Sequence, residues 1–378
     1  MTAEEHTTAR ALTRRELVKL GLVAAGTATA AGCGVGDTQS GESAAKTSSY
    51  PPLDKEPGDL EVFEWAGFEL PAFYRPYLRE FEKKPKFTFL EQDDQALGKC
   101  LGGYRPDLCH PDIPWIPDWV KGDLIQPFDT SLITNFQSLN PSLVKAAQYQ
   151  GVQYHIPTDW GFESLMYRRD KVDISEESWT LHYDPRYAGK ISWFDDAVNL
   201  VIAGYVNGID DPWNMPDAEL NDMKSFLIEK KKVVRHFWSS QTSLDQDIAS
   251  GNIWISFAWA GSWVNARKKK LDVVYMNPKE GRLSWTEGFV LLKGTKNYRH
   301  AHKYVDAWAS PESAVFLVNE YGYGHTNTKV DLKKLDPVLV KAFNLDDPTI
   351  LDEPKTHPRR YQARRQEYLK AWDEVKAA

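Results

Sequence analysis

The stretch Gly251–Gly288 holds residues that could act on a cation. In Trp285-Thr286-Glu287 a period-2 strand sets an indole and a carboxylate two residues apart on one face. A π-face beside a carboxylate suits an ammonium group, because the ring's quadrupole and the fixed charge attract the same ligand. A core tryptophan beside a solvated glutamate fits these residues as well, and this stretch alone leaves both readings open. Upstream, the apolar run Ile253 to Trp259 reads as a buried strand and Gly261-Ser262 as a turn into a helix through Lys270. Leu271 to Tyr275 reads as the next strand, so Trp259 ends the first strand of a strand–helix–strand unit and Trp285 lies in the further strand that follows it after Pro278 to Gly281.

Composition bounds what such a site can serve. A chain of 378 residues exceeds one typical core and predicts two domains. A formal charge of −7 gives no reason to expect nucleic-acid binding. The 14 Trp and 17 Tyr exceed what packing requires and favour stacking or cation–π sites. Nine scattered histidines show no ligand spacing, so neither a metal nor another cofactor is expected. Tyr321 with Tyr323 is the one weak competitor, as a tyrosine pair for iron. The chain has no G-x-S-x-G elbow, no G-x-x-x-x-G-K-[ST] loop and no H-E-x-x-H helix. An enzyme would have to use Asp195, Asp196 and Glu287 as acid and base, and a non-enzymatic receptor is expected instead.

In chain order, Arg14-Arg15 followed by Leu17 and Lys19 precedes an apolar run, Leu20 to Ala31, too short to span a bilayer. It reads as an export signal over residues 1–33, and the adjacent arginines resemble a twin-arginine signal, with general secretion as the other route. Ala30-Ala31-Gly32-Cys33 resembles a lipobox, which makes Cys33 the lipidated residue; a secreted protein cut near the same alanines is the rival reading. Residues 34–57 lack apolar period and read as a flexible tether. The body opens with a strand, Leu60 to Trp65, a helix from Pro71 through about Glu82 buried along Phe73, Tyr77 and Phe81, and a strand, Lys86 to Leu90. That order predicts a parallel pair, with Trp65, Phe68 and Asp112 at carboxyl ends of strands, where ligands collect. His110 reads as an exposed turn residue, Trp115 and Trp119 as packing residues, and a Cys100–Cys109 disulfide is open.

Eight segments resemble, in order, the periplasmic spermidine/putrescine-binding proteins of ABC importers. They are Glu64-Trp65-Ala66-Gly67-Phe68, Pro106-Asp107-Leu108, Gly122 to Asp129, Ile156 to Gly161, Phe194-Asp195-Asp196-Ala197, Trp259-Ala260-Gly261-Ser262, Pro278-Lys279-Glu280-Gly281 and Gly322-Tyr323. The resemblance implies a two-lobed periplasmic-binding-protein fold of type II, two α/β domains joined by a hinge with a ligand cleft between them. Residues 58–157 with 286–330 would form one lobe, and 158–285 with 331–378 the other. It implies an aromatic box of Trp65, Trp259, Trp285 and Tyr323, with Asp196 fixing a terminal ammonium. Glu287 stands where the family usually has Asp, Phe68 where Tyr is common, Asn199 where a Glu often reaches a second ammonium, and Asp112 where Ser is common. None of these positions carries Lys or Arg. Implied partners are a di- or polyamine, the permease subunits of an ABC importer with their cytoplasmic ATPase, and the membrane through a lipid anchor, for a monomer on the extracytoplasmic face. A sugar or another small cation is the alternative ligand; amides and an arginine near the box would favour sugar.

Overall fold

The computed structural model describes residues 50–346 and 348–378. The export signal, Cys33 and residues 34–49 of the tether lie outside them. Residues 50–57 do not behave as a free tether. Tyr50 stacks on Tyr298 with ring centroids 3.8 Å apart, and Glu56 accepts the backbone N–H groups of Arg299 and His300 at the start of the helix Tyr298–Trp308. A carboxylate there satisfies N–H groups that have no partner within the helix.

The first strands form as their pattern predicts. β1 (Glu61–Trp65) pairs in parallel with β2 (Lys86–Leu90) and with β3 (Leu108–Cys109). Alternation along β1 sends Val62 into the main core and Phe63 into a second one with Cys100, Cys109 and Trp119, so both faces are covered. The predicted helix after Pro71 begins later, at Arg75, behind turns around Phe73 and Tyr74, yet Phe73 and Tyr77 are buried as expected. Cys100 and Cys109 are separate buried thiols. Trp119 is fully buried, and Trp115 lies under the guanidinium of Arg365 at 3.5 Å.

β4 (Ile125–Gln126) and the hairpin β5 (Gln148–Tyr149) and β6 (Val152–Gln153) lead into β7 (His155–Arg168), a 14-residue strand buried along almost its whole length. Next come β8 (Ile191–Phe194), β9 (Val234–Trp238), β10 (Ile255–Trp259), β11 (Val273–Tyr275), β12 (Arg282–Leu292), β13 (Gly324–His325) and β14 (Thr356–Pro358). The main path of the sheet runs β2-β1-β3-β12-β7-β10-β8-β9. β12 lies antiparallel along β7 from Leu283–Glu163 to Val290–His155, with an irregularity after Glu287. β7 pairs β13 and then β10 on its remaining edge, while β12 pairs β14 through residues 282–284 and β3 and β4 through 290–292. His155, Ile156 and Pro157 pair with Val290, Phe289 and Gly288, and residues 159–163 with residues 287–283, so β7 and β12 form one paired ribbon shared by both ends of the sheet. The helix Asp217–Lys230 packs on the C-terminal helix Arg365–Ala377.

Candidate functional site

Beside that ribbon opens a cavity of 420 Å³, within the range of small-ligand sites. Eight of the nine residues singled out from sequence line it: Trp65, Phe68, Asp112, Asp196, Trp259, Trp285, Glu287 and Tyr323. They sit at strand ends, in the loops beside them, or on β12. Trp65 and Trp259 are the last residues of β1 and β10, and Trp285 and Glu287 share a face of β12 just before its irregularity. Gly161, opposite Trp285, has no side chain for a physical reason: a Cβ there would lie 2.5 Å from Trp285 Cζ2.

The ninth residue, Asn199, is outside the lining. It is fully buried in the helix Val198–Val206, where Nδ2 donates to Phe194 O and Asp196 O, both at 2.7 Å. Its amide shapes the loop that presents Asp196 instead of reaching a ligand. Asp196 Oδ1 in turn accepts the N–H of Val198 at 2.6 Å. The adjacent Asp195 faces elsewhere, bound to Trp372 Nε1 at 2.8 Å and Lys376 at 3.0 Å.

The rings are fixed by their own contacts. Trp65 Nε1 donates to His110 O at 2.8 Å, and Trp259 Nε1 to Glu163 Oε1 at 3.2 Å. Trp285 meets Tyr323 edge-on with centroids 4.9 Å apart, and Trp259 meets Phe194 and Trp238 the same way. Tyr321, beside Tyr323 in the lining, donates its hydroxyl to Gly67 O at 2.7 Å, which positions the loop after β1.

The electrostatics are dominated by acid. The lining holds six carboxylates, Glu91, Asp93, Asp112, Glu163, Asp196 and Glu287, against the single guanidinium of Arg359. Burial, with Asp93 nearby, pushes the Asp112 carboxyl well above its ordinary range. Burial, with the charges of Asp159 and Asp112, does the same to Glu287, and burial lifts Asp93 to about 6. Behind this wall His110 is fully buried, correcting the expectation of an exposed turn residue. Its Nδ1 lies 2.6 Å from Glu64 and its Nε2 3.0 Å from Asp159. Burial opposes its charge, but the flanking carboxylates of Glu64 and Asp159 outweigh burial and hold the imidazole protonated.

His110, Asp159 and Glu287 bring ligand-type atoms within 4.8 Å of one another, the one such group among the described residues. Both ring nitrogens of His110 are already engaged by carboxylates, so the cluster is arranged as a buried imidazolium among acids. Among the lining residues that sequence reasoning missed are three charged ones with partners across the fold, Asp93, Glu163 and Arg359. Arg359 Nη2 lies 2.8 Å from Glu163 Oε1 and its Nε 3.1 Å from Oε2, a two-point contact that spends the cation on one carboxylate. No local pattern marks these three, because each acquires its setting from a distant segment.

Comparison with known proteins places this geometry in context. The sequence model of the bacterial extracellular solute-binding proteins matches residues 102–342. The chain is 23% identical over 352 residues to a putrescine-binding periplasmic protein of Escherichia coli, covering 86% of this chain and 93% of that one. It is 25% identical over 277 residues to the spermidine/putrescine-binding periplasmic protein of the same organism, covering 71% of this chain and 77% of that one. Among solved structures, a putative spermidine/putrescine ABC transporter protein from Listeria monocytogenes superposes with a TM-score of 0.74 at 20% identity, covering 84% of this chain and 98% of that one. The fold is that of the type II periplasmic binding proteins.

Proposed function

The chain belongs to the bacterial extracellular solute-binding protein family, and from that premise we propose that it captures a di- or polyamine in the cavity beside β7 and β12 and presents it to the permease of an ABC importer. The observation that carries this reading is the charge count of the lining: six carboxylates, and one basic residue already bound to one of them. A diamine must lose water at both ends, and only carboxylates facing those ends replace that hydration. Each buried methylene adds about 0.8 kcal/mol. Each close ring–ammonium contact adds about 0.5–2 kcal/mol. Together these suffice for micromolar binding after association costs.

In this reading Trp65, Phe68, Trp259, Trp285 and Tyr323 form the box, and Asp112, Asp196 and Glu287 hold the ammonium groups. Residues 58–157 with 286–330, and 158–285 with 331–378, are the two lobes, and the β7–β12 ribbon is the hinge. Ligand contacts from both lobes favour a closed form by their difference in affinity, which the permease reads. Cys33 carries the lipid that holds a monomer at the extracytoplasmic face, and the chain catalyses no reaction. The names of the relatives, one putrescine-binding and one spermidine/putrescine-binding, support the amine class.

A sugar is the second reading, favoured by Arg359 and by the hydroxyl and amide groups of Ser239, Ser240, Gln241 and Thr242 in the same lining. A thermal-shift screen of the chain lacking residues 1–33 against putrescine, spermidine, choline, basic amino acids and sugars separates them. Stabilisation by amines alone, lost in Asp196→Ala, is expected. Stabilisation by sugars alone would replace the amine with the second reading.

A further inference from the structure

Arg359 enters the cavity from the segment that follows β14, and its placement is over-determined. Its backbone N–H donates to Ser284 O at 2.7 Å, continuing the β14–β12 pairing, and its guanidinium grips Glu163, a residue 1% exposed. The same carboxylate accepts Trp259 Nε1. A cation on a buried carboxylate that also holds an indole is the arrangement an ammonium ligand would seek. Arg359 also lines a second cavity, of 500 Å³, which shares Asp93, Asp112 and Asp196 with the first and continues to Trp115 and Trp372. The guanidinium is therefore part of the wall common to the two cavities, an inner and an outer chamber of one crevice. Three further cations of the outer chamber, Arg360, Arg365 and Lys376, are paired with Asp211, Asp118 and Asp195.

We propose that Arg359 is a built-in stand-in for one ligand ammonium, which sets the length and charge of the amine accepted: it occupies Glu163 and bars the way into the outer chamber, so that a diamine fits and a triamine does not. The inference rests on the amine reading above. A third ammonium group would have to lose its water beside a fixed guanidinium, or displace that guanidinium from Glu163. Arginine suits the role because it stays charged at any pH the protein meets and its planar fork matches a carboxylate at two points. Without it, Glu163 and Asp196 become two uncompensated acids at the mouth of the outer chamber, and the extra ammonium of a longer amine gains them.

Calorimetric titration of the purified protein with putrescine and with spermidine, in the wild type, Arg359→Gln and Arg359→Lys, tests this. The wild type is expected to bind putrescine more tightly than spermidine. Arg359→Gln is expected to raise spermidine affinity relative to putrescine by about tenfold or more, the worth of one charged hydrogen bond. Arg359→Lys, which keeps the charge, is expected to stay near the wild-type ratio. Spermidine binding to the wild type as tightly as putrescine would overturn the inference without any variant. So would an unchanged ratio in an Arg359→Gln protein that still binds putrescine, and the amine reading would survive both results. Absence of binding to either amine would remove both.

Discussion

Replacing Glu287 with glutamine is expected to move binding and stability in opposite directions. Glu287 lies with His110 and Asp159 in a group whose ligand-type atoms are within 4.8 Å of one another. Two unit charges at that separation interact by about 3 kcal/mol at an effective dielectric of 20. The His110 cation offsets a comparable amount of the repulsion from Asp159, and the burial of Glu287 is left as the main cost. Because its carboxyl is raised above 4.5, the folded protein holds this proton more tightly than the unfolded chain does. Wild-type stability is therefore lost as pH rises above that value, and glutamine is free of the loss. Glu287→Gln should stabilise the ligand-free protein at pH 7 by about 1–3 kcal/mol, a rise in Tm of roughly 1–4 °C, and the difference should vanish near pH 4. The same variant should bind putrescine about ten- to a hundredfold more weakly, having lost a charged acceptor. Differential scanning calorimetry at pH 4 and 7, with titration calorimetry at pH 7, reads both. A fall in Tm at pH 7, or unchanged putrescine affinity, would refute the reasoning.

Two other substitutions test how the site is supported. Gly161→Ala should drive Trp285 from its place against β7, costing about 1–3 kcal/mol in urea unfolding and weakening amine binding; a Trp285 fluorescence spectrum and affinity like the wild type's would contradict the packing. Asn199→Ala removes two buried side-chain hydrogen bonds, to the carbonyls of Phe194 and Asp196, each of which keeps a backbone N–H donor, so it should cost about 1–3 kcal/mol of stability by chemical denaturation; a loss of affinity with no loss of stability would mean that Asn199 touches the ligand after all.

What could be read in advance divides along physical lines. β1, β2, β10 and β11, and the helix Ala260–Lys268, lie within a few residues of their predicted positions, because side-chain period and helix-end residues are local signals. β7 was not legible as one strand. It is buried on both faces, so its polar and apolar residues do not alternate, and Pro157 and Gly161 read as breaks although neighbouring strands tolerate them. The aromatic residues were legible as a group through resemblance and abundance. The charges were harder, since the role of a charged group depends on what faces it. Arg359 pairs with Glu163 across nearly two hundred residues, and His110, between a cysteine and a proline in sequence, is packed against Phe289 and Trp308 with its charge balanced by Glu64 and Asp159. Asn199 matches a ligand-contact position by resemblance, while the structure turns its amide toward two backbone carbonyls.

The central claim is that crowded, proton-holding acids in this crevice give up their protons and pair with an amine cation. Titration calorimetry of the wild type with putrescine near pH 6, repeated in buffers of different ionisation enthalpy, tests it most directly. The account predicts binding with net release of protons, as the ligand's ammonium groups stabilise the ionised forms of Asp93, Asp112 and Glu287, which otherwise hold their protons to unusually high pH. No binding, or binding with proton uptake, would contradict it.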